Sequence, residues 1–292
     1  MTETKNQFQL TWLPKKTFEI LATVPWEEIK RAKELAIKEA EKKVEVKGFR
    51  KGNAPPNLVA KTVGEQKLLE MALQRLVPDY YQKAITQLGL RPILTPKIQL
   101  VSAKDNETWQ IKFISCEEPE VNLGNYKEEV KKIKAMKKIW VPGKETEEKK
   151  EGEKTEESHE EKLNKIIDWL LKNIKVAVSD LLVEEEMTRK LSGLLEQTQK
   201  LGLTIDQYLT SVGKTVEQVR EEYRRSIQEN LSLEFILGKI ADSEKIEVIP
   251  EEIEKMLASA KNQEEKKAME AQKYLIATLL RRQKTLDFLA SL

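Results

Sequence analysis

The segment GFRKG, residues 48 to 52, holds the residue types best suited to binding a partner. Its aromatic Phe49 stands among cations, which outnumber the neighbouring acids Glu41 and Glu45. These cations are Lys42, Lys43, Lys47, Arg50 and Lys51. Arginine and lysine can engage phosphates or carboxylates, while an exposed phenylalanine can fill an apolar groove. The pattern predicts either a docking loop or a Phe49 packed beneath its own domain.

Several kinds of catalytic and metal site are excluded by residue counts. The chain has one cysteine, Cys116, and one histidine, His159, among 292 residues. An internal disulfide, a cysteine-based metal site and a histidine-rich zinc site therefore cannot form. No glycine-rich phosphate loop of the GxxxxGK[ST] or GxGxxG type is present. We expect no catalytic residue, no metal and no cofactor. A carboxylate enzyme using Glu184, Glu185 and Glu186 is the remaining, weakly supported alternative.

Charge divides the chain into two halves. The net charge of +2 combines about +8 over residues 1 to 140 with about −6 over the remainder. A basic half joined to an acidic half indicates two modules with different partners, the basic one suited to a polyanion. No stretch approaches the ~20 apolar residues of a membrane span, and the first residues show no secretory leader pattern. We expect a cytoplasmic protein without a membrane partner.

The loop must be positioned by a small α+β domain. A strand is predicted at 17–23, and a helix opens at Pro25 because proline suits the first helical turn. That helix carries an apolar stripe of Ile29, Ala32, Ala36, Ala40 and Val44. Helices are predicted at 58–64 and 65–89, and strands at 92–101 and 108–116. The predicted element order is β-α-α-α-β-β.

The second half is predicted to be entirely helical. Residues 144–161 contain no apolar side chain and predict a solvated linker. Beyond it, amphipathic stretches begin near Leu163, and threonines at 204 and 215 are placed to cap helices. Another helix is expected from Pro250, and a last continuous one over 264–291. The fold class is therefore an α+β domain followed by an all-α domain.

These motifs, in this order, resemble bacterial trigger factor. The match rests on GFRKGNAPP, on Pro78-Asp79-Tyr80-Tyr81 and on Pro119-Glu120-Val121, followed by helical segments such as DLLVEEEMTRKL. The resemblance implies a ribosome-binding domain at 1–127, a charged linker at 128–162 and a chaperone domain at 163–292. It also implies that the chaperone domain has elongated, multi-helical arms. The linker stands where the family carries a peptidyl-prolyl isomerase domain, so we expect no isomerase activity.

The resemblance also implies a mechanism and partners. An ATP-independent chaperone would dock at the ribosomal exit tunnel and shield apolar segments of nascent and unfolded polypeptides. Gly48, Phe49, Arg50, Lys51 and Gly52 would contact a ribosomal protein and adjacent rRNA. By charge, Lys42, Lys43 and Lys47 are expected to support that contact. Members of this family can form homodimers when free.

Client-binding residues are harder to predict, because helical apolar stripes are usually core. The candidates are Met187, Met256, Met269, Tyr274, Leu275 and Ile276. An alternative function is a helical adaptor whose basic domain anchors nucleic acid, with Trp12, Trp26 and Trp109 available to stack bases. Such an adaptor would bind naked RNA largely independently of Phe49.

Overall fold

The chain forms two compact units, Met1–Glu118 and Pro119–Leu292. The computed structural model describes residues 7–46, 48–50, 52–104, 106–135, 159–258 and 262–292. Each unit has its own hydrophobic core. The α+β and all-α classes expected from the sequence are confirmed.

A four-stranded antiparallel sheet forms one layer of the N-terminal unit. Its strands are β1 (Phe8–Leu13), β2 (Thr17–Val24), β3 (Lys97–Ser102) and β4 (Trp109–Cys116), in the spatial order β1-β2-β4-β3. Strand β1 was not expected, although Phe8, Leu10 and Trp12 alternate with polar residues as strands do. Strand β3 begins at Lys97 rather than at residue 92, because Pro92 and Pro96 have no N–H to donate to the sheet.

Three helices cover one face of this sheet: α1 (Trp26–Lys43), α2 (Pro56–Val63) and α3 (Glu65–Leu88). Helix α1 buries Ile29, Ala32, Ala36 and Ala40, as the stripe predicted. Helix α3 ends at Gly89, whose φ of 66° is left-handed and favours glycine. The α1 stripe is rich in alanine, which lets α1 approach α3 and the sheet closely.

The second unit contains only helices among its described residues. They are α4 (Tyr126–Ala135), α5 (His159–Asn173), α6 (Asp180–Lys200), α7 (Ile205–Val212), α8 (Val216–Ser243), α9 (Pro250–Ala258), α10 (Gln263–Ala271) and α11 (Lys273–Ser291). Thr204 and Thr215 cap α7 and α8 in capping boxes with Gln207 and Gln218. The single helix expected over 264–291 is wrong, because the chain leaves helical geometry at Gln272.

The boundary between the units differs from the expected one at residue 127. Residues 119–127 belong to the helical unit, where Tyr126 and Val130 share a core with Ile166 and Leu170. The Tyr126 hydroxyl also donates a 2.8 Å hydrogen bond to Glu244. Residues 128–135 lie in α4 and residues 159–162 lie in α5, so both ends of the predicted linker are helical. The intervening charged run, 136–158, lies outside the described residues.

Candidate functional site

The Gly48–Gly52 loop joins α1 to α2 through two tight turns. Gly48 and Gly52 have φ values of +89° and +86°, a region that glycine enters without a Cβ penalty. The Phe49 N–H donates to the Val46 carbonyl at 3.0 Å, and the Gly52 N–H donates to the Glu41 carbonyl at 3.1 Å. The second bond satisfies a carbonyl in the last turn of α1 and ties the loop to that helix.

Both ends of the loop are anchored in the core, but its tip is not. Val44 and Val46 pack against the N-terminal core, and Ala54 is only 5% exposed. Phe49, in contrast, is 43% exposed, and Arg50 is exposed beside it. Phe49 is therefore not packed beneath its own domain. Lys47 and Lys51 lie outside the described residues.

The two described supporting lysines differ in their surroundings. Lys43 Nζ lies 2.8 Å from Glu39 Oε1, and this hydrogen bond with its charge lowers the pKa of Glu39 below the usual 4.5. Lys42 is exposed, with no ion pair to another described residue. Both side chains lie in the last turn of α1, where cations suit the negative helix end. The end of α1 thus presents positive charge next to the loop.

The six candidate client residues separate into three groups by burial. Tyr274, Leu275 and Met256 are 88%, 51% and 44% exposed. Met187 and Met269 are partly buried against helical cores. Ile276 is only 8% exposed and packs with Ile253 and Leu257, so its candidacy as a client contact is corrected to a core role.

On α11, one further exposed apolar side chain was missed by sequence reasoning. Leu279 is 54% exposed and follows Leu275 by one helical turn, so the i, i+4 spacing was the available signal. Two polar contacts attach the middle of α11 to α8 and α9: Arg281 bonds Asp242 at 2.6 Å, and Lys284 bonds Glu252 at 2.9 Å. The start of α11 therefore presents an apolar surface of Tyr274, Leu275 and Leu279, called here the α11 face.

The residues of the alternative functions are mostly engaged in structural contacts. Trp109 is 1% exposed and its indole N–H donates to the Lys104 carbonyl at 2.9 Å, so it cannot stack a base. Trp26 packs against the same core, whereas Trp12 is 49% exposed.

The carboxylates proposed for an enzyme also have structural partners. Arg189 lies 2.6 Å from Glu185 and 2.8 Å from Glu186. Within the described ranges, no group of three or more His, Cys, Asp or Glu residues could hold a metal ion. No helix in that part of the chain is long and apolar enough to cross a membrane.

Family comparisons identify the same family in the N-terminal and C-terminal parts of the chain. The family model described as bacterial trigger factor protein matches residues 7–166, and the model of its C-terminus matches residues 144–291. The two matches overlap at residues 144–166. Trigger factors of Streptococcus agalactiae and Streptococcus pyogenes are each 35% identical over 120 residues, which is 41% of this chain and 28% of those proteins.

A solved structure supports the same fold. It comes from work on promiscuous substrate recognition in folding and assembly activities of the trigger factor chaperone. The similarity has a TM-score of 0.64 at 16% identity, and it covers 97% of this chain and 99% of that one. With both family models matched in order and this fold shared, the chain belongs to the bacterial trigger factor family.

Proposed function

We propose that this protein is a cytoplasmic, ATP-independent chaperone that docks at the ribosomal exit tunnel and shields apolar segments of nascent chains. The observation that carries the proposal is the half-exposed Phe49, held at the tip of a loop whose ends are packed into the core. A large exposed aromatic beside cations can bind a partner by apolar contact and by charge together.

Docking would combine an apolar and an electrostatic contact. Phe49 would enter a pocket of a ribosomal protein while Arg50 and Lys51 engage adjacent rRNA phosphates, with Lys42, Lys43 and Lys47 adding attraction. Gly48 and Gly52 would hold the loop shape through their left-handed conformations. Because phosphate contacts release counterions, ribosome binding should weaken as salt rises.

Client binding would use exposed apolar surface in the helical unit. The α11 face offers two leucines and a tyrosine, and Met256 on α9 adds an adaptable side chain. A surface of this kind suits many sequences at modest affinity rather than one sequence tightly. No cofactor is required for such binding.

We further propose that the chain works without peptidyl-prolyl isomerase activity. The two family matches overlap at residues 144–166, where the resemblance places the isomerase domain of other members. The charged residues there include no apolar side chain over 144–161, so they cannot form the core of a catalytic domain.

Co-sedimentation with bacterial ribosomes tests the docking proposal. The Phe49→Ala/Arg50→Ala/Lys51→Ala variant should stay in the supernatant while the native chain pellets, and less native chain should pellet at high salt. Leu58→Ala is a matched control, because Leu58 is a 38% exposed apolar residue in the same unit. Equal pelleting of native and triple variant would refute the docking role. Binding to naked RNA that ignores Phe49, without ribosome binding, would favour the adaptor alternative.

A further inference from the structure

A surface groove of about 820 Å³ lies between α1 and α3 in the N-terminal unit. Its walls carry two rows of cations, one from each helix. They are Lys38, Lys42 and Lys43 on α1, and Lys67 and Arg75 on α3. The two rows come from segments about thirty residues apart in sequence, so the groove exists only after α1 and α3 pack together.

The groove has a strong excess of positive charge. Glu39 is the one acidic residue among its lining residues, and its carboxylate is already bonded to Lys43 at 2.8 Å. Lys38, Lys42, Lys67 and Arg75 are exposed, and none of them has an ion pair with another described residue. Glu39 also interacts by charge with Lys42 and Arg75, but one carboxylate cannot balance five cations, and a polyanion bound between the rows would relieve the remaining repulsion.

The remaining lining residues indicate what kind of polyanion fits. Leu35, 43% exposed, and Met71 add apolar surface, and Gln74 adds an amide. No aromatic side chain lines the groove, so bases would have no ring on which to stack. Lys38 and Lys42 are one helical turn apart, about 6 Å along the axis. Point charges spaced along a groove suit a repeating phosphate backbone rather than base edges.

The groove is lined by the last turns of α1, the helix that leads into the Gly48–Gly52 loop. Lys42 and Lys43 line the groove and also precede the loop in sequence. The loop is tied to the same helix by the hydrogen bond from Gly52 to Glu41. A surface that presents Phe49 to a ribosome would therefore present the α1 side of the groove close to the same rRNA.

We propose that the α1–α3 groove binds the phosphodiester backbone of RNA, without sequence specificity, as a second contact beside the loop. The inference rests on the proposed ribosome docking and extends it to Lys38, Lys67 and Arg75. An acidic polypeptide is the competing occupant. RNA is favoured because Lys42 and Lys43, which line the groove, are already proposed to support the contact with rRNA.

The test measures binding of the full chain to a fluorescently labelled 20-base-pair RNA duplex over a range of salt concentrations. A groove variant replaces Lys38, Lys67 and Arg75 with alanine, the groove cations that the docking proposal does not use. A control variant replaces Lys30, Lys61 and Arg91, which are exposed on the same unit outside the groove, with alanine. The groove variant should lose roughly tenfold or more in affinity, and its slope of log affinity against log salt should be shallower by about three. Circular dichroism and urea unfolding confirm that each variant is folded.

Several outcomes would overturn the inference. Equal losses in the groove and control variants would mean that only net charge matters. Tighter binding of an oligoglutamate peptide than of the duplex, lost in the groove variant, would identify an acidic polypeptide as the occupant. If the groove variant pellets with ribosomes as well as the native chain while the loop variant does not, the docking proposal stands and the groove inference fails.

Discussion

At the scale of single residues, the loop shape depends on two glycines. A residue with a Cβ in the left-handed region costs about 1–2 kcal/mol. Nothing lies within 4 Å of a Cβ added at Gly52, so its φ of +86° is the main obstacle to substitution. The conformation of this residue also places the N–H that bonds Glu41. Glycine at this position is therefore a backbone requirement rather than a packing requirement.

Gly52→Ala should lower the stability of the N-terminal unit by about 1 kcal/mol and weaken ribosome binding, because the loop must either accept strain or change shape. Urea unfolding and ribosome co-sedimentation measure the two effects. Gly193→Ala is the matched control: Gly193 lies within α6 with open space around it, so alanine should stabilise that helix by about 0.5–1 kcal/mol. Unchanged stability and unchanged ribosome binding in Gly52→Ala would show that the left-handed conformation at this position is dispensable.

A second residue-scale contact joins α4 to the end of α8. Burial and a hydrogen bond to Glu244 raise the pKa of Tyr126 to about 12. The hydrogen bond from Lys127, at 2.7 Å, and the one from Tyr126 lower the pKa of Glu244 below 4.5. A carboxyl group with a lowered folded-state pKa stabilises the fold above its unfolded-state pKa, and this stabilisation is lost as pH falls through the folded-state value.

Glu244→Gln should therefore lower the urea midpoint at about pH 7, and the difference from the native chain should shrink below about pH 4. Chemical unfolding at both pH values, followed by far-UV circular dichroism, checks this. Glu254→Gln, at an exposed position on α9, is the control and should change little at either pH. A difference that persists unchanged in acid would contradict the role assigned to the Glu244 carboxylate.

At the scale of elements, α11 shows how one helix can serve both core and surface. Ile276 and Leu289 are buried on one side, while Tyr274, Leu275 and Leu279 are exposed. Arg281 and Lys284 hold the helix through bonds to Asp242 and Glu252. The α11 face therefore lies on the exposed side of the helix, where the proposed client contact would form.

Leu275→Ser/Leu279→Ser should retain the fold but lose at least half of the suppression of aggregation of a chemically denatured test protein, because the variant removes apolar contact area. Light scattering without ATP measures the effect. Leu195→Ser/Leu201→Ser, which changes leucines 45% and 73% exposed on and after α6, is the matched control. Equal losses in both variants would show that client binding is not centred on the α11 face.

At the scale of the whole molecule, the two units have separate cores. The sheet, α1 and α3 surround Trp109, Ile111 and Phe113, whereas Val130 and Leu170 lie in the helical core. The two clusters share no residue. Loss of packing in one core should therefore destabilise that unit without opening the other, since local opening follows local contacts.

Val130→Ala should cost about 2 kcal/mol and accelerate amide hydrogen exchange in α4 and α5, with β2 and β4 unchanged. Ile111→Ala should show the opposite pattern, because Ile111 is fully buried in the N-terminal core. Hydrogen exchange followed by mass spectrometry resolves both regions in the full chain. Acceleration in both units from either substitution would contradict separate cores.

The sequence alone determined the features that depend on neighbouring residues. The stripe of Ile29, Ala32 and Ala36 located a helix and its buried side, and Thr204 and Thr215 located two helix starts. These helix predictions are confirmed because periodicity and capping act over a few residues. The GFRKG segment marked a candidate docking loop, whose role stays a prediction.

Only the tertiary structure decided what depends on distant segments. It left Phe49 half-exposed, buried Ile276 against α9, and placed α4 in the helical unit instead of a linker. It also brought Lys38 and Lys67 to opposite sides of one groove, although neither helix alone contains that site. Burial and charge clustering depend on which surfaces pack together, and no local pattern encodes that choice.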